Sequence, residues 1–279
     1  MNFKIVSDSS SNLLALEGVP YTTVPLKIIT AQREYVDDAS LDVSEMVHDL
    51  CTVKGKTGTS CPNIYEWKSA MAGAEAVFAI TITSNLSGSY AAALQAKAEL
   101  QAEYPEKKIC VLDSLSTGPE MQLVIEQLAA LIAEGKDFDV IEREIREYLS
   151  HTHLIFCLQS LANLARNGRV NPVVAKLAGV LGIRIVGVAS EVGTLELLHK
   201  PRGAERALAT ILDVMREGGY QGGRVRIAHC QNEVGATQLA AKIRAIYPEA
   251  QIKIAPTTAL CSFYAEVGGL MIGYEDTDK

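Results

Sequence analysis

The sequence predicts an α/β fold built from two domains. Short apolar, β-rich runs alternate with amphipathic helical stretches along the whole chain, the pattern of βαβ units. Small and polar turn residues, such as Ser7-Asp8-Ser9 and Asp113-Ser114, follow the runs at their C-terminal ends. With 279 residues, 48% of them hydrophobic, the chain can fill one large or two ordinary domains. The N-terminal domain is expected over 1–155, with a mainly parallel open sheet flanked by helices. The C-terminal α/β domain is expected over 156–279, the boundary falling within 150–160.

The elements follow in order. FKIVSD (3–8) reads as a buried strand ending in a turn, and VPYTTVPLKIIT (19–30) as a second strand. Residues 42–51 are amphipathic, with Asp42 as N-cap. Residues 54–63, rich in Gly and small hydroxyls, read as a loop, with Pro62 near the start of a helix over 64–74. AVFAITIT (76–83) is a strand, 84–90 a turn, 92–104 a helix and 107–114 another strand. A long apolar-striped helix covers 119–135, closed by Gly135. A charged amphipathic helix over 137–152, with Asp137 or Asp139 as cap, leads into a strand at 153–159. Residues 161–182 read as a helix interrupted at Gly168-Arg169. Strands follow at 183–190, 191–200, 222–230, 252–258 and 268–275, with helices at 203–219 and 233–247.

Composition narrows the function. The chain opens as MNFKIVSDSS, without the basic and apolar regions of a signal peptide, and no apolar run is long enough to span a bilayer. Six cysteines show no CxxC pair and no zinc spacing, as expected of free thiols in a reducing cytoplasm. His151 and His153 share a face if they lie on a strand, and read as surface or packing residues. A net charge of −7 argues against a general nucleic-acid binder. The charge is uneven: residues 1–150 hold 12 Lys/Arg against 22 Asp/Glu, and residues 151–279 hold 14 against 11. Arg202 and Arg206, four apart at the opening of the 203–219 helix, are a candidate docking face for an acidic or phosphate-bearing partner. A solvated basic surface is the plainer account.

Ligands of open α/β sheets sit outside the C-terminal strand ends. Ser84 to Ser89 (SNLSGS) joins a strand directly to a helix there, where free N–H groups favour an anion. Ser87 and Ser89 add hydroxyls, and Gly88 lets the backbone come close. Ordinary serine capping explains one of these residues as well. Thr59 and Ser60 precede a second helix in the same way. Asp8 and Asp113, at strand ends, can bind a metal or cap turns, and turn capping is the commoner role. Nucleophile-elbow, P-loop and GxGxxG patterns are missing.

Taken together and in order, these segments resemble the DegV family of bacterial fatty-acid-binding proteins. The opening Ser7-Asp8-Ser9 resembles its T-D-S, and Val24-Pro25-Leu26 its V-P-L. Thr59-Ser60-Cys61-Pro62 resembles T-S-Q-P, and Ser84 to Tyr90 resembles S-x-L-S-G-T-Y. Leu161 to Val170 resembles L-x-x-L-x-x-G-G-R-I, and Lys200 to Gly203 resembles K-x-R-G. The resemblance runs from about residue 3 to 275. It implies two α/β domains enclosing an apolar tunnel. In that tunnel lies a long-chain fatty acid such as palmitate, stearate or oleate, with its carboxylate held by Thr59 and Ser87. Ser60, Gly88, Ser89 and Tyr264 are further candidate contacts. Tyr264 stands where the family often carries histidine, and Val267 replaces the proline of its G-P-G. The implied role is that of a monomeric, cytoplasmic acyl carrier, not an enzyme, without metal or cofactor, that presents the fatty acid to a kinase. The alternative is a small-molecule hydrolase or transferase using Ser87 or Ser60.

Overall fold

A computed structural model describes residues 1–52, 55–173 and 182–276. Strands β1 (Phe3–Asp8) and β2 (Tyr21–Val24), with β6 (Ala76–Thr81) and β7 (Lys108–Asp113), form an all-parallel sheet in the order β2-β1-β6-β7. The two-residue period of a strand divides its apolar run between two cores. Phe78 and Ile80 face helices α4 (Pro119–Ala133) and α5 (Phe138–Leu149). Val77 and Ala79 face α2 (Ile64–Met71) and α3 (Ser89–Glu103).

A second sheet has the order β10-β9-β8-β13-β11-β12. It comprises β8 (Thr152–Leu158), β9 (Ile185–Ala189), β10 (Leu195–His199), β11 (Arg224–His229), β12 (Gln251–Pro256) and β13 (Leu270–Glu275). Only the β11–β12 pair is parallel. One face packs Ile155, Cys157, Leu270 and Ile272 against helices α7 (Ala204–Glu217) and α8 (Glu233–Ile246). The opposite face turns Leu154, Phe156, Leu158 and Met271 toward the first half of the chain. There α4 is the wedge. Gly273 lies so close to it that an added Cβ would fall 2.4 Å from the Glu120 backbone nitrogen. Glu126 of α4 pairs with the buried Arg226 of β11.

Four readings change. The run 19–30 is not one strand. It breaks at Pro25, whose ring removes a ladder donor. Lys27–Ile29 (β3) then joins a small antiparallel sheet with β4 (Glu34–Val36) and β5 (Gly58–Ser60). The expected loop 54–63 therefore contains β5, where Thr59 pairs with Ile28. Helix α3 starts at Ser89, ahead of the expected 92. Over 161–182 the expected interruption is in place, α6 (Ala162–Arg166) ending before Gly168, which takes a φ of +72°. The expected residues 174–181 lie outside the described residues. A short helix, α9 (Ala259–Ala265), occupies a stretch for which no element was expected. The caps at Asp42 and Gly135 stand: Asp42, ahead of α1 (Val43–Thr52), accepts from the Glu45 N–H at 2.9 Å, and Gly135 has a φ of +74°. Asp137 occupies the N-cap position of α5 without a side-chain bond. His151 and His153 both bond Asp276, at 2.8 and 3.0 Å.

Candidate functional site

Strands and loops of all three sheets line a cavity of about 280 Å³. Two helix starts leave their hydroxyl loops free to face it. Asn63 caps α2, accepting from the Glu66 N–H at 2.9 Å, while the Glu66 carboxylate accepts from the Asn63 N–H at 2.7 Å. This capping box satisfies the helix without Thr59 or Ser60. Helix α3 is capped by Gly88, with no side-chain cap bond. Ser87 Oγ accepts weakly from the Ser89 N–H, at 3.3 Å. Thr59, Ser60, Cys61, Ser87 and Gly88 all line the cavity. The loops touch: a Cβ on Gly88 would lie 3.3 Å from Cys61 Sγ.

Carboxylates fix these loops from behind. Asp8, fully buried, accepts from the Ile82 N–H at 3.0 Å, from Ser89 Oγ at 2.6 Å and from Ser10. It thereby ties the end of β1 to the end of β6 and the start of α3. Burial pushes its carboxyl above the usual range, and these hydrogen bonds pull it back in part. Asp113 accepts from the Ser84 and Leu115 N–H groups, both at 3.1 Å. Both aspartates therefore serve as turn caps. Among the described residues no group of three or more His, Cys, Asp or Glu is placed to hold a metal.

The second half completes the polar end. Tyr264 of α9 places its hydroxyl 2.7 Å from Thr59 Oγ1. Burial raises the pKa of this phenol, while the Thr59 hydrogen bond and the nearby Arg169 charge oppose that rise. Arg169, half-buried, lines the cavity and donates from Nε to the Leu86 carbonyl at 3.1 Å. Helix α9 is itself held from the first half. The buried Asp37 accepts from the Ala259 and Leu260 N–H groups at 2.7 and 3.1 Å, and desolvation pushes its pKa up to about 6. Leu26, Ile82, Leu154, Phe156, Leu260 and Met271, all nearly inaccessible to solvent, make the remaining wall apolar. Hydroxyls and one cation at one end with hydrocarbon elsewhere suit an amphiphilic anion.

The family model described as "Uncharacterised protein, DegV family" matches residues 2–276. The chain belongs to the DegV family. A DegV domain-containing protein of Streptococcus pneumoniae is 41% identical over 279 residues, with 99% of each chain covered. The crystal structure of the Streptococcus pneumoniae fatty acid kinase (Fak) B3 protein loaded with linoleic acid matches with a TM-score of 0.97. It is 40% identical and covers 99% of this chain and 100% of that one. A DegV family protein from Eubacterium eligens loaded with heptadecanoic acid matches with a TM-score of 0.96, at the same identity and coverage. The two-domain α/β architecture expected from the sequence is the one these structures share.

In this DegV chain, Thr59, Ser60, Ser87, Gly88 and Tyr264 come together as the sequence led one to expect. Ser89 does not join them: it is fully buried, its hydroxyl is committed to Asp8, and it is not part of the cavity wall. Arg202 and Arg206 are exposed and away from the cavity. They do not share a helix face, because α7 begins at Ala204 and Arg202 sits before it in a bridge to Ile183. Sequence reasoning did not place Arg169 in the cavity wall. Its signal was available in the Gly168-Arg169-Val170 segment of the DegV pattern. Among the described residues no helix is long and apolar enough to cross a membrane.

Proposed function

We propose that this protein binds one long-chain fatty acid, with the tail in the cavity and the carboxylate at Thr59 and Ser87, and carries it to a kinase. The observation that carries the reading is the two-ended cavity: Thr59, Ser87, Tyr264 and Arg169 at one end, apolar side chains at the other. Each buried CH₂ of a tail contributes about 0.8 kcal/mol. The carboxylate loses hydration, and the hydroxyls and the guanidinium offset that loss with charge-assisted hydrogen bonds. Relatives at 40% identity that carry linoleic or heptadecanoic acid support the ligand class, and the fatty acid kinase name of one supports the partner.

The protein acts as a carrier without chemistry of its own. Ser87 Oγ accepts an N–H, Thr59 shares a hydrogen bond with Tyr264, and the nearby charge is a guanidinium. This arrangement suits holding an anion; a nucleophilic serine needs an adjacent base. Six unpaired cysteines fit a reducing cytoplasm, where the protein works as a monomer. We draw the domain boundary between α5 and β8, just before the expected residue 155, since β8 is a strand of the second sheet. The first domain then supplies Thr59 and Ser87, and the second covers the chain and adds Tyr264 and Arg169. Organic extraction of the purified protein, read by mass spectrometry, is expected to release about one fatty acid per chain. Protein that is empty and takes up neither palmitate nor oleate would overturn the proposal.

A further inference from the structure

Glu266, directly after α9, holds a backbone conformation that glycine adopts freely and other residues rarely do, with φ +54° and ψ 170°. Where a residue with a Cβ persists there, its surroundings hold it. Here they can be named. The Glu266 N–H closes α9 by donating to the Ser262 carbonyl at 3.0 Å. The Glu266 carbonyl accepts from the Gly269 N–H at 3.1 Å, just ahead of β13. The half-buried carboxylate accepts from the Asn163 N–H of α6 at 3.1 Å. Leu161, the N-cap residue of α6, offers no side-chain acceptor. Ser160 Oγ takes the Ala162 N–H at 3.1 Å, and Glu266 takes the next one. The carboxylate thus completes a cap that α6 lacks in its own sequence.

Helix α6 is only five residues long, so whatever fixes its start also places its end. That end is a closed turn. Gly168, at φ +72°, donates to the Ala165 carbonyl at 3.1 Å, and the Arg169 N–H donates to the Leu164 carbonyl at 2.8 Å. Arg169 is therefore carried on α6, as Tyr264 is carried on α9. Glu266 joins the two helices, beside a second bond from Asn163 Nδ2 to the Phe263 carbonyl at 2.8 Å. Leu164 and Arg169 from one, Tyr264 and Ala265 from the other, all line the cavity. We propose that Glu266 is a positioning residue of the fatty-acid site: its carboxylate holds α6 against α9 and so brings the Arg169 guanidinium and the Tyr264 hydroxyl together at the ligand carboxylate. The tie offsets the backbone strain at the same residue. This rests on the fatty-acid reading above.

Three substitutions separate the tie from the strain. Glu266→Gln keeps both the acceptor and the strain, Glu266→Ala keeps the strain alone, and Glu266→Gly removes both. Oleate dissociation constants are measured by isothermal titration on delipidated proteins, each with a melting curve. Glu266→Gln is expected to bind within about twofold of wild type, since its amide oxygen still accepts the Asn163 N–H. Glu266→Ala and Glu266→Gly are each expected to bind about tenfold more weakly, as when a hydrogen bond to a charged group is lost. They should do so alike, although the glycine variant melts above the alanine one. Affinity that follows the melting temperature instead, with the glycine variant binding like wild type, would overturn the proposal and mark a residue that only shapes the turn. A glutamine variant as weak as the alanine one would overturn it too. Should Glu266→Ala not fold, the glycine and glutamine variants carry the test unaided. If the wild type binds no oleate, the fatty-acid reading itself fails, a separate outcome. Ligand-free crystals of wild type and Glu266→Gly then decide the positioning role. A parted Tyr264–Thr59 pair or a displaced Arg169 in the variant supports it, and side chains left in place refute it.

Discussion

Replacing Glu120 by Gln should remove a pH dependence that the wild type carries at the seam between its halves. Glu120 opens α4 and is nearly inaccessible to solvent. It accepts from Thr152 Oγ1 of β8 at 2.9 Å and from Ser116 Oγ. No cation lies among these partners, so desolvation dominates and pushes its pKa up from 4.5 to about 7. The folded protein therefore holds this proton more tightly than the unfolded chain. The stabilisation is fully present below pH 4.5 and is lost as pH rises through 7. At about 1.4 kcal/mol per tenfold change in proton affinity, the loss amounts to about 3 kcal/mol. Glutamine keeps the shape and can satisfy both hydroxyls, yet does not ionise. Denaturant unfolding of both proteins at several pH values from 4.5 to 8 gives the difference directly. Other buried acids, Asp8 and Asp37 among them, cancel in it. Glu120→Gln is expected to gain on the wild type as pH rises, by about 3 kcal/mol over the range. Parallel curves would refute the reasoning, showing that water or local opening already solvates the carboxylate.

Three further outcomes follow from the same contacts. Thr59→Ala and Ser87→Ala should each weaken fatty-acid binding by about 1–3 kcal/mol while leaving the melting temperature close to wild type. Isothermal titration with oleate checks both, and unchanged affinity in both would place the carboxylate elsewhere. Asp37→Ala leaves the first N–H groups of α9 without their acceptor, so stability should fall by about 1–3 kcal/mol. Its oleate affinity should fall too, although Asp37 is not part of the cavity wall. The Arg202→Ala, Arg206→Ala double variant should bind oleate normally yet slow acyl-phosphate formation by a fatty acid kinase at low ionic strength. Unchanged turnover there would leave only an ordinary basic surface.

The fold was largely legible because strongly periodic segments carry their own signal. The continuous apolar run of β6 and the apolar stripe of α4 need no tertiary information to be recognised. What escaped was short and held from outside. Strand β5 is three residues of Gly, Thr and Ser, none a strong hydrophobic marker, and exists because β3 offers it an edge. Helix α9 begins with Ala-Leu-Cys and no capping side chain of its own; Asp37, more than two hundred residues earlier in sequence, supplies the acceptor. At the site, Thr59 and Ser87 could be named from their local patterns. Arg169 was traceable only through its match to the family pattern, and the loss of Ser89 to Asp8 depends on a distant partner that no local pattern encodes.

Thr59 owes its orientation to a residue that never approaches the cavity mouth. In the small antiparallel sheet it lies opposite Ile28, which in turn lies opposite Tyr35. Side chains directly across such a ladder point the same way. Ile28 and Tyr35 are anchored in the core, so the third member of the row must also face inward. The hydroxyl is thus aimed by strand register. A residue added to or removed from the long connection between β4 and β5 leaves this alignment intact. The same change within β5 shifts the row by one and turns Gly58 or Ser60 inward in place of Thr59. Length variation should therefore be tolerated in that connection and be ruinous for binding three residues further on, with the rest of the protein still folded.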